Sequence, residues 1–182
     1  KILFSVFCIL VLINGSNFFD GLNTLVIGYY ALVLLTLIVF IKVYNINYDI
    51  ELIINSILIL FILLIFNILN KSFIGDSGAY SISCLVGFIC IDFYKNIQDF
   101  SVLFIVVILW YPAFETLFSI VRKIIFKFNP ASPDNNHLHH HLFKFIFIFN
   151  KKDFISNVIA ANLINLYNLL VFALSVINHK SS

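Results

Sequence analysis

The chain has 182 residues, of which 62% are apolar and 11% charged, with a net charge of +2 and a mean hydropathy of +1.04. A soluble domain carries about 25% charged and under about 50% apolar residues, and a globule of this length has too little interior to hide 22 Phe among so many Ile and Leu. Disorder, collagen, disulfide-stapled secreted scaffolds and nucleic-acid binding are excluded, and a polytopic membrane protein remains.

Crossing a bilayer core takes about 20 apolar residues of helix, and irregular backbone is excluded from lipid. Apolar runs therefore read as helices and polar breaks as loops. Ile2–Ile13 reads as a truncated span. Leu22–Ile41 and Leu52–Leu69 are uncharged and complete. Ala79–Ile91 reaches spanning length with Asp92 to Lys95 at the interface. Phe100–Val121 spans, interrupted by Pro112 and Glu115, and Phe154–Ile177 is the last span. The predicted fold is an all-α transmembrane bundle with one partial and five complete spans. The chain starts at Lys1 and contains no Met, so it is expected to be the C-terminal portion of a single, longer integral-membrane domain. Cys8, Cys84 and Cys90 lie in apolar runs without metal-ligand spacing and read as small packing residues. Asn162, Asn165 and Asn168 recur every third residue of the last span, as interhelical hydrogen-bonding groups do.

The polar breaks alternate between two sides. One side holds Asn14–Gly21, Lys71–Gly78 and Arg122–Lys152, and with them Lys71, Arg122, Lys123, Lys127, Lys144, Lys151 and Lys152. The other holds Lys42–Glu51, Lys95–Asp99 and the tail, with Lys42, Lys95 and Lys180, and at most Lys1 besides. The excess of basic residues assigns the first side to the cytoplasm.

The unusual polar clusters all fall on that side. Asn14, Asn17 and Asp20 share one helical face, either a carboxylate-and-amide surface for a cation or phosphate or a solvated helix cap. Gly75-Asp76-Ser77-Gly78 precedes a span whose N-terminus suits anions, and Asp76 is a candidate magnesium ligand; a capped tight turn is the alternative. After the rigid Asn129-Pro130-Ala131-Ser132-Pro133 entry come His137, His139, His140 and His141, too many histidines in too short a stretch for packing. They suit phosphates and a nucleotide; zinc is the weaker alternative, for no Cys or Glu stands at a zinc spacing. Glu115 is a carboxylate inside a span, a functional group or a structural partner for one near the active face. Arg122 and Lys123 are phosphate ligands or membrane-side anchors.

Together these motifs resemble the polyprenyl-phosphate N-acetylhexosamine-1-phosphate transferases, the superfamily that includes phospho-N-acetylmuramoyl-pentapeptide-transferase. The resemblance lies in Asn14-x-x-Asn17-x-x-Asp20-Gly21-Leu22, in Gly75-Asp76-Ser77-Gly78, in Pro112-x-x-Glu115 followed by Arg122, and in Ser132-Pro133-Asp134-x-x-His137-Leu138-His139-His140. The His-Leu-His-His form is similar to the N-acetylhexosamine branch. The resemblance implies transfer of a sugar-1-phosphate, first of all N-acetylglucosamine-1-phosphate, from a UDP-sugar to undecaprenyl or another polyprenyl phosphate, with release of UMP. It implies a multi-pass enzyme of the bacterial cytoplasmic membrane that starts a lipid-linked surface polysaccharide such as lipopolysaccharide O-antigen or a cell-wall teichoic acid. It also implies Asp76 as the magnesium (or manganese) ligand and Asp20 as a second catalytic carboxylate. Asn14, Asn17, Arg122, His137, His139 and His140 would bind substrate, with Lys71 and Glu115 as further structural or functional candidates.

The family carries an Asp-Asp loop upstream of these motifs that this chain does not contain, so residues 1–182 alone are expected to be inactive. Glu115 stands where the family more usually has Asp, Asn135 where it often has Arg, and Asn23-Thr24 where Asp-Gly or Asn-Gly is common. Another UDP-sugar, a non-catalytic lipid-binding relative and a transporter are the alternative readings. A homodimer is left open.

Overall fold

The computed structural model describes residues 2–97, 101–127 and 137–179. Eight helices follow one another: α1 (Ile2–Phe19), α2 (Leu25–Val43), α3 (Glu51–Ile68), α4 (Gly75–Asn96), α5 (Val102–Ile108), α6 (Trp110–Ile125), α7 (Leu138–Asn150) and α8 (Asp153–Asn178). No strand occurs among the described residues. Four helices (α2, α3, α4 and α8) are long and apolar enough to cross a membrane, and α5 with α6 makes a fifth if the bent pair is one span. The protein is a multi-pass membrane helix bundle. Its many exposed Leu, Ile and Phe, such as Leu58, Phe61 and Ile62 on α3, are lipid-facing surface in such a fold.

α2 is the central helix, lying against α3, α4 and α8, with Leu25, Val33, Leu34 and Leu37 fully buried. Near its start an aromatic cluster closes the core: Phe19 packs edge-on against Tyr29 at 5.6 Å and Tyr111 at 5.2 Å, and Tyr29 meets Phe172 at 5.7 Å. Such pairs add about 0.5–1.5 kcal/mol each beyond the area they bury. At the far end Tyr44 donates to the Val176 carbonyl at 2.6 Å and Tyr48 to Asp92 at 2.7 Å. These contacts gather the α2–α3 connection, the end of α4 and the end of α8 at one end of the bundle. The 20–24 and 70–75 connections and the start of α8 gather at the other, the separation the alternating polar breaks predict.

Four boundaries differ from the sequence expectation. α1 does not stop at Ile13 but runs to Phe19, because its polar residues are satisfied within the helix. Asn14 donates to the Leu10 carbonyl at 2.8 Å, and Ser16 donates to Leu12 at 2.6 Å and is paired with Tyr30. α4 starts at Gly75, whose φ of +61° suits glycine; a Cβ there would meet nothing within 4 Å, so conformation rather than space requires it.

Phe100–Val121 is not one straight span: α5 and α6 meet at 69° about Leu109. Pro112 has no N–H for the Ile108 carbonyl four residues earlier, and its ring crowds that carbonyl. Tyr29 serves it instead, donating at 2.8 Å. Beyond the bend α6 turns back along α1. The Pro112 carbonyl lies against Gly15 where any side chain would clash, and the Thr116 hydroxyl approaches the Val11 carbonyl at 3.3 Å.

The last difference is α7, which lies inside the segment read as a loop. Leu142, Phe143 and Ile146 turn one side of it to the core beside α8, and Lys151, at φ 53°, ends it.

Candidate active site

The turn after α1 is built to present Asp20. Phe19 is fully buried and anchors it, while the Asp20 and Gly21 amides bond back to Asn17 and Phe19 at 3.3 and 3.0 Å. Asparagines from other helices then hold residues 23 and 24. The Asn23 amide donates to the Asn157 side chain at 2.7 Å, and the Thr24 amide to Asn67 at 2.6 Å. Asn67 in turn donates to the Ser72 carbonyl at 2.8 Å, tying the Asp20 turn to the segment that leads into Asp76. Thr24 has a left-handed backbone, φ 72°, which these bonds stabilise.

Asp76 is exposed in the first turn of α4, where the helix dipole favours a carboxylate. Asp20 is half-buried. Burial first, and then the charge of Asp76, push its carboxyl up to about 6. A carboxyl whose ionisation is opposed by burial and by a neighbouring carboxylate is one that a divalent cation would relieve. Among the described residues no group of three or more His, Cys, Asp or Glu could hold a metal. That donor set fits magnesium, which takes one or two carboxylates and completes its shell with water and phosphate oxygens. It does not fit structural zinc.

The histidines approach from α7. His137 is the extended residue before the helix, and its carbonyl accepts from the His140 and His141 amides at 3.1 and 3.3 Å. His137 Nδ1 is 2.8 Å from Glu115 Oε2, with both side chains buried. His139 and His140 lie with ring centroids 4.1 Å apart. Burial, then the charges of His140 and His137, hold His139 down at about 3, so it is a neutral imidazole at ordinary pH. His140 is lowered too, chiefly by burial. The two rings sit on the Asp20 turn: a Cβ on Gly21 would be 2.5 Å from His139 Nε2 and 3.4 Å from His140 Cε1. Glycine at 21 lets histidine loop and aspartate turn meet.

The structure thus brings Asp20, Asp76, Glu115, His137, His139 and His140 into one connected region. The other candidates fall as follows. Asn17 is half-buried and its carbonyl accepts the Asp20 amide, so it shapes the turn. Asn14 is exposed and bonded back along α1. Lys71 is exposed in the turn after α3, beside Asn70, whose side chain accepts from Asn23 at 3.3 Å. Arg122 lies over the Phe118 ring at 5.2 Å. Along α6 it stands about two turns beyond Glu115. Ser132, Pro133, Asp134 and Asn135 lie outside the described residues. Of the asparagine stripe, Asn165 is 3.4 Å from the Thr24 and Leu25 carbonyls and Asn168 accepts from Trp110 at 2.9 Å. Asn162 is exposed and donates back to Val158 at 2.8 Å, since a three-residue step drifts about 60° around a 3.6-residue helix. Sequence reasoning gave Asn23 little weight and passed over Asn67 and Asn157. Their signal was asparagine at the ends of otherwise apolar spans.

A family profile described as "Glycosyl transferase family 4" matches residues 1–94, which include both aspartate motifs. A probable undecaprenyl-phosphate N-acetylglucosaminyl 1-phosphate transferase of Bacillus subtilis (strain 168) is 33% identical over 150 residues, covering 78% of this chain and 40% of that protein. An undecaprenyl-phosphate alpha-N-acetylglucosaminyl 1-phosphate transferase of Thermotoga maritima is 34% identical over 70 residues, 38% of this chain and 23% of that protein. The chain spans less than half the length of either relative. No solved structure matches the chain.

Proposed function

The chain belongs to glycosyl transferase family 4, and from that premise we propose that it forms part of an integral-membrane transferase moving N-acetylhexosamine-1-phosphate from a UDP-sugar to polyprenyl phosphate. The names of the two relatives favour N-acetylglucosamine as the sugar and undecaprenyl phosphate as the acceptor. An oxygen of the acceptor phosphate forms a bond to the phosphorus next to the sugar. The bond from that phosphorus to the bridging oxygen breaks, and UMP leaves with that oxygen and its electron pair. The product is a lipid diphosphate sugar, the starting unit of a surface polysaccharide.

The observation that carries this reading is the Asp20 turn, which packs through Gly21 against His139 and His140 and is tied through Asn67 to the segment leading into Asp76. Phosphoryl transfer asks a protein mainly for positioning and charge stabilisation. Asp76, with Asp20, would hold magnesium, which when bound supplies neutralisation of phosphate charge. His139, neutral and buried, can make hydrogen bonds to a phosphate or base without adding a mobile charge. Lys71, Lys144, Lys151 and Lys152 lie near this end of the chain's helices and favour its facing the cytoplasm, where UDP-sugars are available.

The test is UMP release by the full-length protein in membranes supplied with UDP-N-acetylglucosamine, compared with Asp76→Ala. Release should fall by at least about a hundredfold. Undiminished release would remove Asp76 from the metal site.

A further inference from the structure

Glu115 is 1% exposed and its partner His137 3% exposed, so the 2.8 Å contact between them is shielded from water. A buried carboxylate is costly unless paired, and an acid kept in a membrane-spanning element marks a role. The pairing depends on the bend at Leu109, because the bend turns α6 back beside α1 and sets Glu115 next to the start of α7. The His137 ring is held from other directions as well. Phe18 lies near-parallel to it at 5.4 Å and 18°, and His139 at 5.7 Å and 8°. An imidazole bonded to a carboxylate through Nδ1–H keeps only Nε2 for a second partner.

We infer that Glu115 is a positioning residue: by accepting Nδ1–H of His137 it fixes the tautomer and tilt of that ring and aims Nε2 at the donor's diphosphate. The identity of the ligand rests on the transferase reading; the fixing of the ring does not. Glu115 itself touches no substrate and acts through His137. Arg122, the other group that sequence sets near it, lies two turns further along α6, while the acid is turned to α7. Its contribution is orientation, the kind of effect in which an error of about 1 Å costs about a hundredfold in rate.

The test uses the full-length protein in nanodiscs with UDP-N-acetylglucosamine and undecaprenyl phosphate. Glu115→Ala and His137→Ala should each lower kcat/KM for UMP release by about a hundredfold. The double variant should be no worse than His137→Ala, because residues acting as a unit are not additive. Glu115→Gln keeps an oxygen that accepts Nδ1–H and should retain at least about tenfold more activity than Glu115→Ala. It also serves if the alanine variant does not fold. Nitrogen-15 spectra of the histidine side chains should show the Nδ1–H form of His137 in the wild type and Glu115→Gln, and its loss in Glu115→Ala. Additive losses, equal losses in Glu115→Gln and Glu115→Ala, or an Nδ1–H signal unchanged in Glu115→Ala would each overturn the inference. If the wild type releases no UMP, the transferase reading fails, and the spectra alone decide whether Glu115 fixes the ring.

Discussion

The Tyr29 hydroxyl donates to the Ile108 carbonyl at 2.8 Å, the carbonyl that Pro112, four residues on, cannot serve. One bond between α2 and α5 therefore supports the bend that brings α6 back along α1. Tyr29→Phe removes only the hydroxyl. It leaves a buried carbonyl without a donor, at a cost of about 1–3 kcal/mol. The variant should melt at lower temperature and also weaken the Glu115–His137 contact, seen as a change in the His137 side-chain signal. A stability loss with the His137 signal unmoved would separate the bend from the site.

Two glycines near the carboxylates are needed for different reasons, and alanine should distinguish them. Gly21→Ala puts a methyl 2.5 Å from a buried imidazole nitrogen that has little room to yield. The turn must move away from His139, and activity should fall by at least about tenfold. Gly75→Ala meets no neighbour but must hold φ at +61°. It should cost about 1–2 kcal/mol of stability, with a smaller effect on turnover. Thermal melts and UMP release measured on both variants check this.

Asp20 gives a pH signature whose sign can be stated. Its carboxyl, raised from 3.8 to about 6 in the fold, ionises more easily in the unfolded chain. The stability linked to it is fully present below about pH 4 and is lost as pH rises through about 6. His139 works in the opposite sense. Lowered from 6.5 to about 3, it supports the fold above pH 6.5 and withdraws that support as pH falls towards 3. Melting curves from pH 4 to 7 for the wild type and Asp20→Asn should diverge as pH rises, with the asparagine variant relatively more stable at pH 7. Added magnesium should shrink the difference, because a bound cation favours the ionised carboxyl. Parallel curves would mean that Asp20 is not strained by Asp76 and burial.

Asn67 should matter as much as the carboxylates it supports. It accepts from Thr24 and donates to Ser72, so it joins the Asp20 turn to the Asp76 segment. Asn67→Ala leaves both backbone groups short of a partner, at about 1–3 kcal/mol each where water cannot replace it. Asn67→Asp keeps the acceptor for Thr24 and should fold better than Asn67→Ala. Relative melting temperatures decide the order.

Much of this was legible in the sequence because polar residues in so apolar a chain are conspicuous. Asp20, Asp76 and the histidines stood out as loop residues on one side of the membrane, and the structure links them through Gly21 and Asn67. Pro112 flagged an interruption, but the angle of the bend depends on what replaces its missing donor, and Tyr29 is too distant in sequence to suggest that. α1 read short because Asn14 and Ser16 look like loop residues until their back-bonds are seen. α7 was missed because four histidines and a run of Phe masked the spacing of Leu142 and Ile146. The partner of Glu115, 22 residues further along the chain, could only come from the fold.

The most direct measurement is to identify both products made by the purified full-length protein in nanodiscs from UDP-N-acetylglucosamine and undecaprenyl phosphate. Mass spectrometry should find UMP and an undecaprenyl diphosphate carrying N-acetylglucosamine in equal amounts, and neither with Asp76→Ala. UDP in place of UMP would mean that the sugar moves without its phosphate, and UMP without the lipid product would mean that water is the acceptor. Either result would contradict the account.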